Sequence, residues 1–288
     1  MKILGVIANC DKPEAGKVLQ RVLAKTKELG MEILAEPATA DLFNIKVRKE
    51  ELPELFKKVD AIMAFGGDGT VLRVVRELNG LDVPLMGVNL GGLGFLTSVA
   101  ESELENALEC LVSNKFTVSL RTIAECTVTR GEEIKVQYRA LNDIVIAREA
   151  LARVITLDVQ IDKNYVTSYV CDGLIISTPT GSTGHSLSAG GPIVTPEAVV
   201  FVLCVICPHT LSSRPLVVPD TSEISVKITN CKGRVILSID GQVGVELQED
   251  DYICVRRSDK GVRFIHLPGY NYFSLLRQKL HWRGSATL

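Results

Sequence analysis

The stretch Phe65-Gly66-Gly67-Asp68-Gly69-Thr70 sets one carboxylate among three glycines, behind an apolar run and ahead of a helical pattern. In an open parallel sheet, ligands bind outside the carboxyl ends of the strands, so a strand–turn–helix passage of this kind lies on the binding edge. Glycines let the backbone come close to a phosphate, and the free N–H groups at the following helix start attract an anion. A carboxylate repels phosphate. Asp68 makes sense there if it takes the proton from an attacking hydroxyl. The alternative is that Asp68 caps the helix, a common role for aspartate. The turn alone leaves both readings open.

Other clusters carry the same kinds of group. "LNDIVIAR" places Asn142 and Asp143, a donor and an acceptor, at the head of a strand. "CDGLIISTPTGSTGHSLSAGGPIV" holds Asp172 and a loop of hydroxyls and glycines from Thr178 to Ser188. "SIDGQ" puts Asp240 and Gln242 at a turn. Each alone is an ordinary strand end, where Asn, Asp and Gly are frequent; together they are hard to dismiss. Two familiar phosphate signatures are missing. No G-x-x-x-x-G-K-[ST] occurs, and "GGLG" at Gly91 to Gly94 does not complete G-x-G-x-x-G.

The elements that must carry these residues fall into two textures. "KILGVIA", "EILAE", "DAIMAF" and "PLMGVN" read as short buried strands. Between the first two, Ala15, Val18, Leu19, Val22, Leu23 and Leu29 recur at helical spacing, closed by Gly30. Val71, Leu72, Val74, Val75 and Leu78 form a second helix face, ended by Asn79-Gly80, and a last helix runs from about Glu101 to Val112. Such alternation predicts a parallel sheet with helices on its faces. Beyond Phe116, period-two stretches such as "EIKVQYRA", "RVITLDVQID", "EISVKIT" and "RVILSID" predict antiparallel strands, with a hairpin at Thr129 to Glu132. The reading is an α/β domain over residues 1–118, a β-rich domain over 119–268 and a helical segment over 269–288 that packs back on the first.

Composition narrows the partners. The 288 residues are 46% hydrophobic and 23% charged, with a formal net charge of -2. This is the profile of a globular protein, and no basic field argues for nucleic acid or an anionic membrane. The longest apolar run, Ala198 to Cys207, is short of the roughly 20 residues of a spanning helix. The apolar start is too short for a signal-peptide core, which predicts a cytoplasmic protein whose eight cysteines are free thiols. Cys204 and Cys207 have no second C-x-x-C to complete a metal site and read as buried thiols on a core strand.

"GGDGT", "GVNLGGLGFLT", the Asn-Asp pair, "DGLIISTPTGST", "SLSAGGPI", "PHTLSSRPLVVP" and "DGQ" follow one another here in the order and spacing of NAD kinases, which this chain resembles from about residue 60 to residue 245. The first motif is shared with diacylglycerol and sphingoid kinases; the Thr-Pro-Thr-Gly-Ser-Thr stretch is far more specific. The resemblance implies a Rossmann-like open parallel sheet followed by a mostly antiparallel β domain. It implies transfer of the γ-phosphoryl group of ATP to the 2′-hydroxyl of NAD's adenosine ribose, with Mg²⁺ or another divalent metal carried by ATP and no protein ligand named for it.

On the same resemblance Asp68 is the general base with Gly69 beside the ribose, while Gly66, Gly67 and Thr70 shape the phosphate turn. Arg73 faces the diphosphate or is a solvated helix charge. Asn142 and Asp143 hold the adenosine end, and Asp172 bonds the nicotinamide carboxamide. Thr183, Gly184, His185, Ser186, Leu187 and Ser188 surround adenine and ribose, and Arg153 and Gln242 make peripheral contacts. The family's usual Ser-Thr-Ala-Tyr is here Ser182-Thr183-Gly184-His185. His185 offers less stacking area than tyrosine and adds a titratable nitrogen. A homodimer or homotetramer is implied as well. Two competing readings are a lipid kinase, which leaves the Thr178–Ser188 loop without a role, and a dinucleotide-binding regulator without catalysis.

Overall fold

A computed structural model describes residues 1–92, 94–149 and 153–282 of the chain. Leu93 of the GGLG stretch and residues 283–288 of the C-terminal segment lie outside the described residues. Contacts divide the chain into two compact units, Met1–Leu120 with the chain from Val262 onward, and Arg121–Gly261. The first begins with β1 (Ile3–Ala8), α1 (Glu14–Glu28), β2 (Glu32–Ala35), α2 (Pro37–Leu42), β3 (Arg48–Lys49) and α3 (Leu52–Lys58). It continues with β4 (Ala61–Gly66), α4 (Asp68–Leu78), β5 (Leu85–Asn89), β6 (Val99–Ala100), α5 (Leu104–Val112) and β7 (Thr117–Arg121). The second holds β8 (Ala124–Arg130), β9 (Glu133–Ala140), β10 (Asp143–Arg148), β11 (Ile155–Ile161), β12 (Asn164–Cys171) and β13 (Gly173–Ser177). The short α6 (His185–Ser188) follows, then β14 (Val200–Ile206), β15 (Leu216–Pro219), β16 (Ile224–Asn230), β17 (Val235–Ile239), β18 (Val243–Leu247) and β19 (Tyr252–Arg257). The chain then returns to the first unit with β20 (Val262–His266) and α7 (Tyr272–Lys279).

In the first unit the strands run β3-β2-β1-β4-β5-β20-β7, with β6 beside β5. β1, β2, β4 and β5 pair in parallel. From β1 the chain steps to β2 on one side and resumes at β4 on the other, so the order reverses between β1 and β4. A crevice outside their carboxyl ends follows from that reversal. Ile62, Met63, Ala64 and Phe65 of β4 are all fully buried, which is why its sequence is a continuous apolar run rather than an alternation. α1 turns Ala15, Val18, Leu19 and Val22 inward, and Gly30 ends it at φ +67 as a C-terminal cap requires. α4 buries Val71, Val74, Val75 and Leu78; at ~1.5–3 kcal/mol per side chain, that face holds Asp68's helix against the sheet.

The sequence reading missed α2 and α3. Both are short and start with proline in the first turn, so neither is long enough to show a helical period. A second difference is a correction. β20 lies within the 119–268 segment assigned to the β-rich domain, yet it pairs in parallel with β5 through Phe264 and Leu85. Five residues of apolar alternation carry no mark of which sheet they will join.

The second unit is two antiparallel six-stranded sheets, β15-β14-β13-β10-β17-β18 and β12-β11-β16-β19-β8-β9. One face of each feeds a common core that includes Ile144, Ile146, Leu174, Ile176 and Leu237 from the first sheet and Leu157, Val226 and Ile253 from the second. The other face of the first sheet is also covered: Val145, Ile175, Val202 and Cys204 pack beneath Ala189 and Val194 of the long glycine-rich loop. β13 is therefore buried along its whole length. The hairpin predicted at Thr129 to Glu132 joins β8 to β9, with Gly131 at φ +61. Cys204 is buried as expected, but Cys207 is exposed in a left-handed turn at φ +46, beyond the end of β14.

Candidate active site

In the first unit, Gly66 ends β4, Gly67 occupies the N-cap position of α4, and Asp68 is the first helical residue. The capping reading of Asp68 therefore fails; its carboxylate bonds to a different loop. Oδ2 accepts the N–H of Phe95 at 2.8 Å and Oδ1 that of Leu96 at 2.9 Å. A carboxylate offers about four lone-pair sites, so two amides fix its orientation and leave acceptor capacity over. Gly94 is what lets the loop come so near, because a Cβ there would collide with Asp68 Oδ1. Thr70 is buried, with Oγ1 where a side chain on Gly66 would lie, so those two residues fit one another across the turn. Gly67 faces open space and Gly69 is exposed.

Arg73 is not the unpaired solvated charge that one of its two readings expected. Its guanidinium donates to Glu36 at 2.8 and 3.1 Å and to the Ala8 carbonyl at 3.4 Å. Glu36 is only 4% exposed, so Arg73 neutralises an internal acid rather than facing solvent as an unpaired charge. That acid, on the short link between β2 and α2, carried no motif to announce it.

In the second unit, Asn142 and Asp143 lead into β10, and a single carboxylate holds their turn. Asp240 accepts the N–H groups of Leu141 (2.9 Å), Asn142 (2.7 Å) and Asp143 (3.0 Å). Burial pushes the Asp240 carboxyl up to about 6 even though those three amides oppose the rise. Asp143 is 1% exposed, and burial raises its pKa too, with His185 acting in the opposite sense. His185 Nδ1 lies 3.1 and 3.3 Å from the two Asp143 oxygens, while its side chain stays 59% exposed. Asn142 Oδ1 is buried without a hydrogen-bond partner among the described residues, as is Thr180 Oγ1. Orphaned acceptors of this kind call for a donor from outside the chain.

The glycine-rich loop closes on this turn. The Thr178 N–H donates to the Asn142 carbonyl at 2.9 Å, and Thr178 Oγ1 donates to the Leu141 carbonyl. A Cβ on Gly181 would strike the Asn142 carbonyl, and one on Gly184 would lie 3.3 Å from Asp143 Oδ2. Thr183 Oγ1 donates back to the Thr180 carbonyl at 3.3 Å. Ser186 is buried with Oγ 3.2 Å from Cys204 Sγ, Leu187 is half-buried and Ser188 is exposed. Gln242 is exposed on the Asp240 turn, whose Gly241 would carry a Cβ 3.5 Å from His185 Cε1.

Asp172 does not join this cluster. Asp172 precedes β13 while Thr178 follows it, so the strand separates them by roughly 17–20 Å at ~3.3 Å per residue. There Arg148 Nε donates to Asp172 Oδ1 at 2.6 Å, and this ion pair holds the Asp172 carboxyl below the usual carboxylate range. Arg153 is exposed just ahead of β11. Among the described residues no group of three or more His, Cys, Asp or Glu side chains is placed to hold a metal ion. No helix among them is long and apolar enough to cross a membrane.

Residues 4–116 match the ATP-NAD kinase N-terminal domain, and residues 141–267 match the ATP-NAD kinase C-terminal domain. An NAD kinase of Syntrophotalea carbinolica is 40% identical over 282 residues, spanning 98% of this chain and 99% of that protein. An NAD kinase of Geobacter metallireducens is 40% identical over 283 residues, with the same coverage of 98% and 99%. Among solved structures, yeast NADH kinase complexed with NADH superposes with a TM-score of 0.93 at 26% identity, covering 100% of this chain and 90% of that one. An NAD kinase from Archaeoglobus fulgidus in complex with ATP gives a TM-score of 0.77 at 26% identity, covering 98% and 100%. Both domain models fit in order and the relatives share nearly the full length, so the chain belongs to the ATP-NAD kinase family.

Proposed function

We infer that the chain transfers the γ-phosphoryl group of ATP to the 2′-hydroxyl of the adenosine ribose of NAD, giving NADP and ADP. The relatives named NAD kinase support the reaction, and the neighbours complexed with NADH and with ATP support both substrates. The observation that carries the mechanism is the Asp68 carboxylate, oriented by the Phe95 and Leu96 amides at the carboxyl edge of the sheet. A ribose hydroxyl is a weak nucleophile until its proton has an acceptor. Asp68 takes that proton as the 2′-oxygen bonds to the γ-phosphorus and the bond to the ADP oxygen breaks, a base contribution of ~10²–10⁴-fold. Positioning and charge compensation supply most of the rest, since the transition state of phosphoryl transfer is loose. The N–H groups at the start of α4, bared by Gly66 and Gly67, face the phosphates.

Dinucleotide recognition is assigned to the second unit. Asn142 offers a buried unpaired acceptor to the amino group of adenine, and Asp143 holds His185 for stacking and ribose contact. Thr183 to Ser188 shape the adenine and ribose surroundings, and Gln242 and Arg153 contribute at the periphery. Asp172, far along β13, takes the nicotinamide carboxamide at the other end of an extended ligand. A single carboxylate at the glycine turn fits Mg²⁺ that arrives on the triphosphate, because Mg²⁺ keeps waters and few protein ligands. Bound there, the ion neutralises phosphate charge. A homodimeric or homotetrameric assembly and a cytoplasmic location complete the proposal. Purified protein incubated with ATP, Mg²⁺ and NAD should form NADP, read with an NADP-specific dehydrogenase. Absence of NADP under conditions where the protein is folded would refute the activity.

A further inference from the structure

We propose that Lys12 is the cation that receives the donor nucleotide's phosphates at the glycine turn. This rests on the kinase reading and adds a residue to it. With Arg73 paired to Glu36, a triphosphate calls for further positive charge on this edge of the sheet. Lys12 sits on the turn that leaves β1, closed by its own N–H donating to the Asn9 carbonyl at 3.2 Å and by the Asp11 N–H donating to Asn9 Oδ1 at 3.0 Å. The Asn9 N–H donates to the Phe65 carbonyl at 2.8 Å, which fastens the turn to the end of β4. Lys12 therefore stands at the carboxyl ends of β1 and β4, where the strand order reverses and an open sheet takes its ligands.

Its ammonium is held against the loop that also holds the base. Nζ donates to the Leu90 carbonyl at 2.6 Å, and a Cβ on Gly91 would come within 2.8 Å of it. Gly91 and Gly94 are three residues apart, so their Cα atoms are separated by at most ~11 Å. The ammonium at Leu90–Gly91 and the carboxylate at Phe95–Leu96 thus mark the two ends of one short loop. An ammonium has three N–H donors and the Leu90 carbonyl engages one. Among the described residues no carboxylate forms an ion pair with Lys12, in contrast to Arg73. A half-buried, unneutralised point charge beside side-chain-free backbone suits phosphate oxygens, and positive charge already in place stabilises a phosphoryl group in transfer.

The competing role is mechanical, with Lys12 only pinning the loop through Leu90. Lys12→Gln keeps an N–H donor near that carbonyl and removes the charge; Lys12→Arg keeps the charge. Steady-state kinetics with Mg²⁺-ATP and NAD should show kcat/KM for ATP falling ten-fold or more in Lys12→Gln, KM for NAD within two-fold of wild type, and most of the loss recovered in Lys12→Arg. Wild-type kcat/KM for ATP in Lys12→Gln overturns the assignment. So do parallel losses toward ATP and NAD in both variants, which is the mark of a loop pin. If the wild type forms no NADP, the kinase reading fails on its own, and calorimetric binding of Mg²⁺-ATP decides Lys12 separately. Ten-fold weaker binding by Lys12→Gln upholds the phosphate contact, and equal binding overturns it.

Discussion

Gly181→Ala should disable dinucleotide binding through one methyl group. The residue does not need an unusual φ; it needs room, because an added Cβ would press on the Asn142 carbonyl oxygen, its carbon and its Cα. Those are backbone atoms and cannot swing aside. The loop must back away from the turn that carries Asn142 and Asp143. In doing so it gives up the Thr178 N–H bond to Asn142 (2.9 Å), the Thr178 hydroxyl bond to Leu141 and the Gly181 N–H bond to Thr178 Oγ1 (3.2 Å). At ~0.5–1.5 kcal/mol each, three bonds amount to roughly 2–4 kcal/mol. Even if half of that is absorbed by relaxation of the loop, ~1–2 kcal/mol reaches the binding conformation, and a Kd for NAD weaker by about five-fold is the expected minimum. Calorimetry with NAD and a thermal melt give the two readouts. Gly244→Ala is the control: its Cβ would meet only Ile236 Cγ2 at 3.6 Å, an ordinary contact. A Gly181→Ala protein that binds NAD within two-fold of wild type and melts at the same temperature would refute the steric reasoning.

Two further outcomes test contacts and burial that the sequence did not show. Arg73→Met leaves the carboxylate of Glu36 buried without its guanidinium; since Arg73 is itself partly exposed, the loss should be about 2 kcal/mol rather than the full value for a buried pair, seen as a lower Tm. Unchanged Tm would contradict the pairing. Asp240 has a folded-state pKa of about 6 against an ordinary 3.8. Its stabilising contribution is therefore full at low pH and is lost as pH rises through about 6. Between pH 5 and pH 7 the wild type should lose ~1 kcal/mol relative to Asp240→Asn, which cannot titrate. Asp143, the acid nearest it, stays in both proteins, so a pH-independent difference between their melts would count against the buried carboxylate.

The elements were readable where a period was long enough to be seen. α1 and α4 each repeat their apolar face over several turns and end at Gly30 and Asn79, both at positive φ, so their limits stood out. α2, at six residues, and α3, at seven, did not. The functional residues were readable as chemistry but not as geometry. Asp68 stood out as an acid among glycines, yet its orienting partners are backbone amides 27 and 28 residues away. Any residue except proline could supply those amides, so no side-chain pattern announces them. Asp240 was visible as a turn residue, but its work is done on N–H groups 97 to 99 residues earlier in the chain. Arg73 was readable only as a cation near a phosphate turn, and it takes the packed structure to reveal the buried Glu36 that it pairs with. Lys12 was overlooked because its turn lacks a glycine motif.

The central claim is that Asp68 accepts the proton of the ribose hydroxyl. Asp68→Asn keeps the size of the side chain and one acceptor oxygen while removing the basicity. The decisive measurement is NADP formation by this variant, with NAD binding followed by calorimetry on the same preparation. The account predicts a Kd for NAD close to wild type and a kcat lowered at least ten-fold. A kcat equal to wild type, with the dinucleotide bound normally, would contradict it.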